Sequence, residues 1–195
     1  MVDSNRIFKL TFITGAHGAG KSAICQKISL PKGIEYFKAS DLIYSHLHQS
    51  HPCNKQILNL EELCSNQCAL VDEVAYLKRS GHKNILLEGH TCLINRNFQI
   101  EQIPIDTFYA LNISALVIVT RSTEELFETV LFRDHISYSL DVIQRLQEQE
   151  IESANQISKE LSIPLLHIDT SSKKSYGFDA LSKSAIQLEE FLISV

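Results

Sequence analysis

A three-layer α/β fold, a parallel sheet covered by helices on both faces, is predicted by three observations. Short apolar runs alternate along the chain with longer segments of helical spacing, and that alternation implies right-handed crossovers between parallel strands. Two of the runs, Ile85-Leu86-Leu87 and Ala115-Leu116-Val117-Ile118-Val119, are continuously apolar, as strands covered on both faces must be. A glycine-rich run, Gly15-Ala16-His17-Gly18-Ala19-Gly20-Lys21-Ser22, separates the first apolar stretch from the first helical one. Sheets of this kind bind ligands there, beyond the carboxyl ends of the strands.

In chain order, strands are expected over 7–14, 34–37, 84–88, 115–120 and 165–168. Helices are expected over 21–29, 41–48, 58–80, 123–132, 139–161 and 178–193. The first strand is the apolar run Ile7-Phe8-Lys9-Leu10-Thr11-Phe12-Ile13-Thr14, and Ser22-Ala23-Ile24-Cys25-Gln26-Lys27-Ile28 continues as a helix. Ser40-Asp41 follows the second strand and opens the next helix. Either residue can cap the free N–H groups there, and a cap is compatible with substrate contact, since both lie beyond a strand end. The third strand, Asn84-Ile85-Leu86-Leu87-Glu88, ends in a carboxylate. The last, Leu165-Leu166-His167-Ile168, runs into the polar loop Asp169-Thr170-Ser171. No linker, repeat or low-complexity tract divides the chain, so one domain over 1–195 is expected.

The glycine run fits G-x-x-x-x-G-K-[ST] in its strand–loop–helix context, which separates a phosphate-binding loop from a chance match. Its glycines let successive backbone N–H groups turn inward around an anion, and the helix N-terminus adds the positive end of its dipole. Gly15, Ala16, His17, Gly18, Ala19, Gly20, Lys21 and Ser22 are therefore assigned to a nucleoside triphosphate, ATP with Mg²⁺. Lys21 reaches the β- and γ-phosphates and the Ser22 hydroxyl ligates the metal. Glu88, at the end of an apolar strand, has the chemistry of a Walker B acid holding the metal or its bound water. His90 is either a positioning group beside the metal or an exposed loop histidine.

Composition narrows the partners. A net charge of −5 offers no basic footprint for nucleic acid. No apolar run approaches the roughly 20 residues that span a bilayer. The first strand begins within six residues of the N-terminus, and a cytoplasmic location is the expectation. Five cysteines at irregular spacing read as free thiols in a reducing compartment. A zinc site from His46, His48, His51, Cys53, Cys64 and Cys68 would lack the C-x-x-C knuckle, so buried cysteines and solvated histidines are expected.

Four passages carry a resemblance. They are Gly15 to Ser22, Tyr36-Phe37-Lys38-Ala39-Ser40-Asp41-Leu42-Ile43, Ile85-Leu86-Leu87-Glu88-Gly89-His90-Thr91, and Ile103-Pro104 through Leu111-Asn112 to Val119-Thr120-Arg121. Together the chain resembles the P-loop nucleoside monophosphate kinases, most of all archaeal-type adenylate kinases and the adenylate-kinase-like ATPases of ribosome assembly. Those families carry an acid-x-His triplet where this chain has Glu88-Gly89-His90. The resemblance implies a P-loop NTPase sandwich with a five-stranded parallel sheet in the order 2-3-1-4-5. It further implies an acceptor-binding helical region over about 40–80, with Ser40, Asp41 and His90 on the acceptor, and a short lid over about 133–141. Arg133 corresponds to a lid arginine, Arg121 to an arginine on base or phosphate, and the loop from Asp169 to 172 to one lying against adenine. Arg145 is a further candidate. Lys21, Arg133, Glu88 and Arg121 make up the expected catalytic set.

The chain departs from that pattern in its arginines, of which there are only six. Thr129 stands where family lids carry a second arginine, and Tyr44 where bacterial adenylate kinases place one on the acceptor helix. Each lost electrostatic clamp is worth about 3 kcal/mol in comparable sites. Transfer to a nucleoside monophosphate is the leading expectation. A slow regulatory ATPase acting through a protein partner is the alternative, and the acceptor side leaves open a kinase for a non-nucleotide small molecule.

Overall fold

The chain runs β1 (Lys9–Thr14), α1 (Lys21–Ser29), β2 (Glu35–Lys38), α2 (Ala39–Leu47), α3 (Leu60–Arg79), β3 (Asn84–Glu88), β4 (Cys92–Ile94) and β5 (Ile100–Gln102). It continues through α4 (Ile105–Leu111), β6 (Ala115–Thr120), α5 (Thr123–Asp134), α6 (Leu140–Leu161), β7 (Leu165–Asp169) and α7 (Asp179–Ser194). This computed structural model describes residues 8–29, 33–47, 60–95, 97–134, 138–171 and 179–195. Five strands pair in parallel in the order β2-β3-β1-β6-β7. That is the expected 2-3-1-4-5 once the antiparallel ribbon β4–β5 is set aside.

Strand alternation sorts the side chains into two cores. Leu10 and Phe12 of β1, Ile85 and Leu87 of β3, and Leu116 and Ile118 of β6 face one cluster, which α3, α4 and the second half of α6 cover with Leu70, Val74, Phe108, Leu111, Ala154 and Ile157. Ile13, Leu86, Val117 and Val119 point the other way, onto Ile24 and Ile28 of α1, Leu126 of α5 and Leu188 of α7. Each fully buried aliphatic side chain contributes roughly 1.5–3 kcal/mol. The central strands are apolar throughout because neither face sees water.

Three elements lie outside the expected set. β4 and β5 have three residues each, and the turn between them is held by Asn95 Oδ1, which accepts the N–H groups of Asn97 (2.9 Å) and Gln99 (3.0 Å). Helix α4 has seven residues, enters from Pro104 and ends at Asn112 in the left-handed region (φ 53°). The Pro104 and Asn112 passages of the resemblance are thus the two ends of one helix. Helix α2 starts at Ala39, so Ser40 and Asp41 lie inside its first turn and neither precedes it as a cap. Among the described residues, no helix is long and apolar enough to cross a membrane.

Candidate active site

The loop from Gly15 to Gly20 bridges the end of β1 and the start of α1, and close packing dictates its first glycine. Gly15 has φ +140°, and a Cβ there would stand 2.1 Å from the Val119 carbonyl oxygen. Only glycine fits that approach. The Lys21 side chain is buried beneath the loop, its Nζ donating to the carbonyls of Gly15 (2.5 Å) and Ala16 (3.1 Å). Its ammonium is thereby held at the anion-facing side of α1. From the far edge of the sheet, Thr170 Oγ1 donates to Ala19 O at 2.7 Å, tying the loop after β7 to the phosphate loop.

Ser22 Oγ donates to Glu88 Oε1 at 2.8 Å, and the Tyr36 hydroxyl donates to Glu88 Oε2. Parallel pairing of β1 with β3 brings these groups together from residues 66 positions apart. Burial, then the bond to the Glu88 carboxylate, pushes the Tyr36 phenol well above its ordinary value, so it stays a donor. Ser22 and Glu88 offer adjacent hard oxygen ligands at the loop exit. That donor chemistry fits Mg²⁺.

His90 follows one residue later. Between them Gly89 admits no side chain, because a Cβ there would meet Phe12 Cζ at 2.5 Å. The His90 ring lies 6.2 Å, centroid to centroid, from that of His17 on the phosphate loop. Its Nδ1 lies 3.1 Å from Glu150 Oε1. Glu150 comes from α6 and is fully buried. Its Oε2 accepts Thr14 Oγ1 at 2.6 Å, Thr91 Oγ1 at 2.5 Å and the Thr91 backbone N–H at 3.1 Å.

The other candidates spread out. Arg121, directly after β6, pairs through Nε with Glu125 Oε2 at 2.9 Å and points Nη1 toward Gly18 O at 3.5 Å. Gln147 clamps its backbone from both sides, accepting its N–H at 2.9 Å and donating to its carbonyl at 2.8 Å. Thr129 packs on Gly18 and returns its hydroxyl to Glu125 O at 2.7 Å. Arg133 is in the last turn of α5, and its side chain lies outside the described residues, as do 135–137 of the expected lid. Ser40 Oγ donates to Asp41 Oδ1 at 3.2 Å, and Asp41 is exposed. Asp169 closes its own turn, Oδ1 accepting the N–H (2.9 Å) and hydroxyl (2.5 Å) of Ser171, and its neighbour Thr170 contacts the loop. Arg145 pairs with Asp141 at 2.6 Å on an exposed helix face.

The histidine and cysteine cluster divides. His46 Nδ1 bonds Glu73 Oε1 at 2.9 Å, whereas His48, His51 and Cys53 lie outside the described residues. Contrary to expectation, Cys64 and Cys68 are exposed on α3, because the apolar stripe of that helix runs through Leu63, Leu70 and Val74. Cys25 and Cys92 are buried, and burial pushes the Cys92 thiol up to about 12. Among the described residues, no group of three or more His, Cys, Asp or Glu is placed to hold a metal.

Charge around His90 makes stability pH-dependent. Burial and then the positive Lys21 hold its imidazole below the ordinary 6.5. Burial opposes the Glu150 carboxylate, but the hydrogen bond from His90 and the charges facing it outweigh that and hold the carboxyl below 4.5. As pH falls through about 6.5, the unfolded chain binds a proton at His90 that the native state refuses, and below about 4.5 the same holds at Glu150. Both depressed values remove stability with acid. The urea midpoint is therefore expected to fall between pH 7.5 and 5.5, and less steeply in His90→Gln. Equal slopes would assign the loss elsewhere.

Solved structures share this fold. A gluconokinase from Sinorhizobium meliloti superposes with a TM-score of 0.54 at 12% identity, covering 97% of either chain. A shikimate kinase from Acinetobacter baumannii, in complex with shikimate, gives 0.60 at 13% identity over 97% of this chain and 95% of that one. Shikimate kinase from Bacteroides thetaiotaomicron gives 0.54 at 12% over 94% and 98%. At such identities the likeness concerns the fold. No curated protein matches the sequence. A family profile described as an AAA domain does match, over residues 14–150, from the last residue of β1 to Glu150 on α6. That span is well over half of the molecule, and the chain belongs to this AAA domain family.

Proposed function

We propose that the protein is a phosphotransferase that moves the γ-phosphoryl group of Mg·ATP to a small-molecule acceptor bound beside His90. The observation that carries this is the phosphate loop with Ser22 Oγ 2.8 Å from Glu88 Oε1. One end of the site has the loop that binds a triphosphate, and His90, two residues past Glu88, stands beside it with its ring 6.2 Å from that of His17. Lys21 trades its bonds to Gly15 and Ala16 for phosphate oxygens, and its charge offsets the charge on the transferring group. Ser22 and Glu88 would hold Mg²⁺, which supplies charge neutralisation between the β- and γ-phosphates. Arg121, anchored by Glu125 and Gln147, lies against the loop for phosphate or base contact, and Arg133 serves as the lid cation. Tyr36 keeps the Glu88 carboxylate in place.

A second reading, a slow ATPase acting through a protein partner, is favoured by one observation. Arg145 pairs with Asp141 at the surface and Thr129 occupies a lid arginine position, so among the described residues neither supplies a cation to the acceptor side. The test is product analysis with Mg·ATP and separate acceptors: AMP and deoxynucleoside monophosphates, which the resemblance to archaeal-type adenylate kinases suggests, and gluconate and shikimate, which the structural neighbours suggest. A phosphorylated acceptor is the expected product. ADP and inorganic phosphate alone, at a rate independent of every acceptor, would replace this reading by the ATPase.

A further inference from the structure

Glu150 is the only acidic side chain among the described residues that is fully buried, and nothing in phosphate binding requires it. It sits where α6 crosses from one core to the other: Ile143 and Leu146 pack in the cluster of Ile13 and Val117, Ala154 and Ile157 in that of Leu10 and Phe12. A carboxylate without partners would cost several kcal/mol there, and four donors supply the partners. Three converge on Oε2. The Thr91 backbone N–H can only donate. The Thr14 hydroxyl accepts that same N–H at 3.0 Å, which leaves its own hydrogen to point at Glu150. Thr91 Oγ1 is the third.

Held ionised by these donors, the carboxylate has no hydrogen to give, so Oε1 accepts as well and His90 Nδ1 carries the hydrogen across 3.1 Å. A neutral imidazole with hydrogen on Nδ1 has its lone pair on Nε2. The Nδ1 edge is closed by a buried group, so the 28% of the side chain that stays exposed belongs to the rest of the ring. That ring lies 6.2 Å from that of His17 on the phosphate loop, two residues past Glu88 at the end of β3.

We infer that Glu150 is a positioning residue that fixes the His90 tautomer with Nε2 as a proton acceptor, and that the phosphoryl acceptor is therefore a hydroxyl of an alcohol rather than a phosphate oxygen. The inference rests on the phosphotransferase reading above and names its substrate class. The hydroxyl oxygen bonds to the γ-phosphorus as the bond from phosphorus to the β–γ bridging oxygen breaks. ADP leaves with that electron pair. The hydroxyl hydrogen passes to His90 Nε2, and the resulting imidazolium is stabilised through Nδ1–H by the Glu150 carboxylate. A phosphate acceptor is already a nucleophile with no proton to surrender and calls for cations; this site presents a lone pair.

Glu150→Gln tests the pair. The glutamine oxygen must take the Oε2 place, because the Thr91 N–H cannot turn into an acceptor. Its amide then donates toward Nδ1, and His90 moves its hydrogen to Nε2. In ¹⁵N-detected imidazole spectra the wild type is expected to show Nδ1 protonated and Nε2 bare, and the variant the reverse. Turnover is read with glycerol, gluconate, shikimate and adenosine as hydroxyl probes and AMP and dTMP as phosphate probes. A general base contributes typically 10²–10⁴-fold, and kcat with the active hydroxyl probe should fall within that range in the variant while KM for ATP stays within about twofold. Inorganic phosphate released from water, with the same loss in the variant, upholds the positioning role and overturns the alcohol. A nucleoside diphosphate formed from AMP or dTMP at a rate untouched by Glu150→Gln overturns the inference and leaves the phosphotransferase reading standing. ATP left intact with every probe and with water alone sinks that reading instead. The wild-type spectrum still decides the tautomer in that case, or if the variant does not fold, and a protonated Nε2 there refutes the role of Glu150.

Discussion

Lys21→Ala is expected to lower kcat for ATP consumption by about 10²–10³-fold, the usual consequence of removing one preorganised charge from a transferring group, worth roughly 3–4 kcal/mol. The fold should survive. Lys21 is an ion buried at the start of α1 that bonds the carbonyls of Gly15 and Ala16, and its removal relieves the desolvation cost as well as those bonds. Lys21→Met, which keeps most of the aliphatic stem, should behave alike in rate and melt closer to the wild type. The measurement is ADP release under saturating Mg·ATP beside a thermal melt of each variant. A variant that melts normally and turns over at the wild-type rate would show that the loop does not carry the phosphoryl group.

The contrast between Lys21 and Glu150 shows which parts of such a site are legible in one sequence. Lys21 and Ser22 belong to a contiguous motif whose spacing is set by backbone geometry, so eight adjacent residues declare their own use. The five strands and six longer helices were equally readable, since each apolar run is long enough for its period to show. The ribbon β4–β5, at three residues a strand, and α4, at seven, are shorter than any period that separates helix from strand. Their existence depends on tertiary partners, as where Ile103 N–H reaches the Thr91 carbonyl at 2.8 Å.

Groups that act across the sheet were harder to find. Tyr36 meets Glu88 only because β2 pairs with β3 in parallel register, and a four-residue strand reveals neither partner nor register. Glu150 did leave a trace: it falls on the buried stripe of Ile143, Leu146, Ala154 and Ile157, beside the small polar Ser153. A carboxylate on such a stripe must have donors facing it, but the sequence does not say which. Arg145 shows the opposite case. Named from the sequence as a further functional candidate, it instead pairs with Asp141 at i−4 on an exposed helix face.

Because those donors are known, the cost of removing the acid can be stated. Glu150→Ala is expected to destabilise the protein by about 3–5 kcal/mol, the range for deleting one partner of a buried charged network. The alanine leaves Thr14 Oγ1, Thr91 Oγ1 and the Thr91 N–H without their acceptor, and each buried orphan costs roughly 1–3 kcal/mol. The Thr91 N–H keeps its 3.0 Å bond to the Thr14 hydroxyl, which places the total nearer the low end than a simple sum. For a domain of this size, about 2–4 °C per kcal/mol turns the loss into a fall in Tm on the order of 10 °C. Glu150→Gln keeps an acceptor on the Thr91 side and should lose less than half as much. Paired thermal melts at pH 7.5 decide the matter. If Ala and Gln melt within about 2 °C of each other and of the wild type, a shift near 1 kcal/mol or less, the four donors do not depend on Glu150. A full loss in Ala with partial retention in Gln is what a closed network, anchored on a backbone N–H that can only donate, requires.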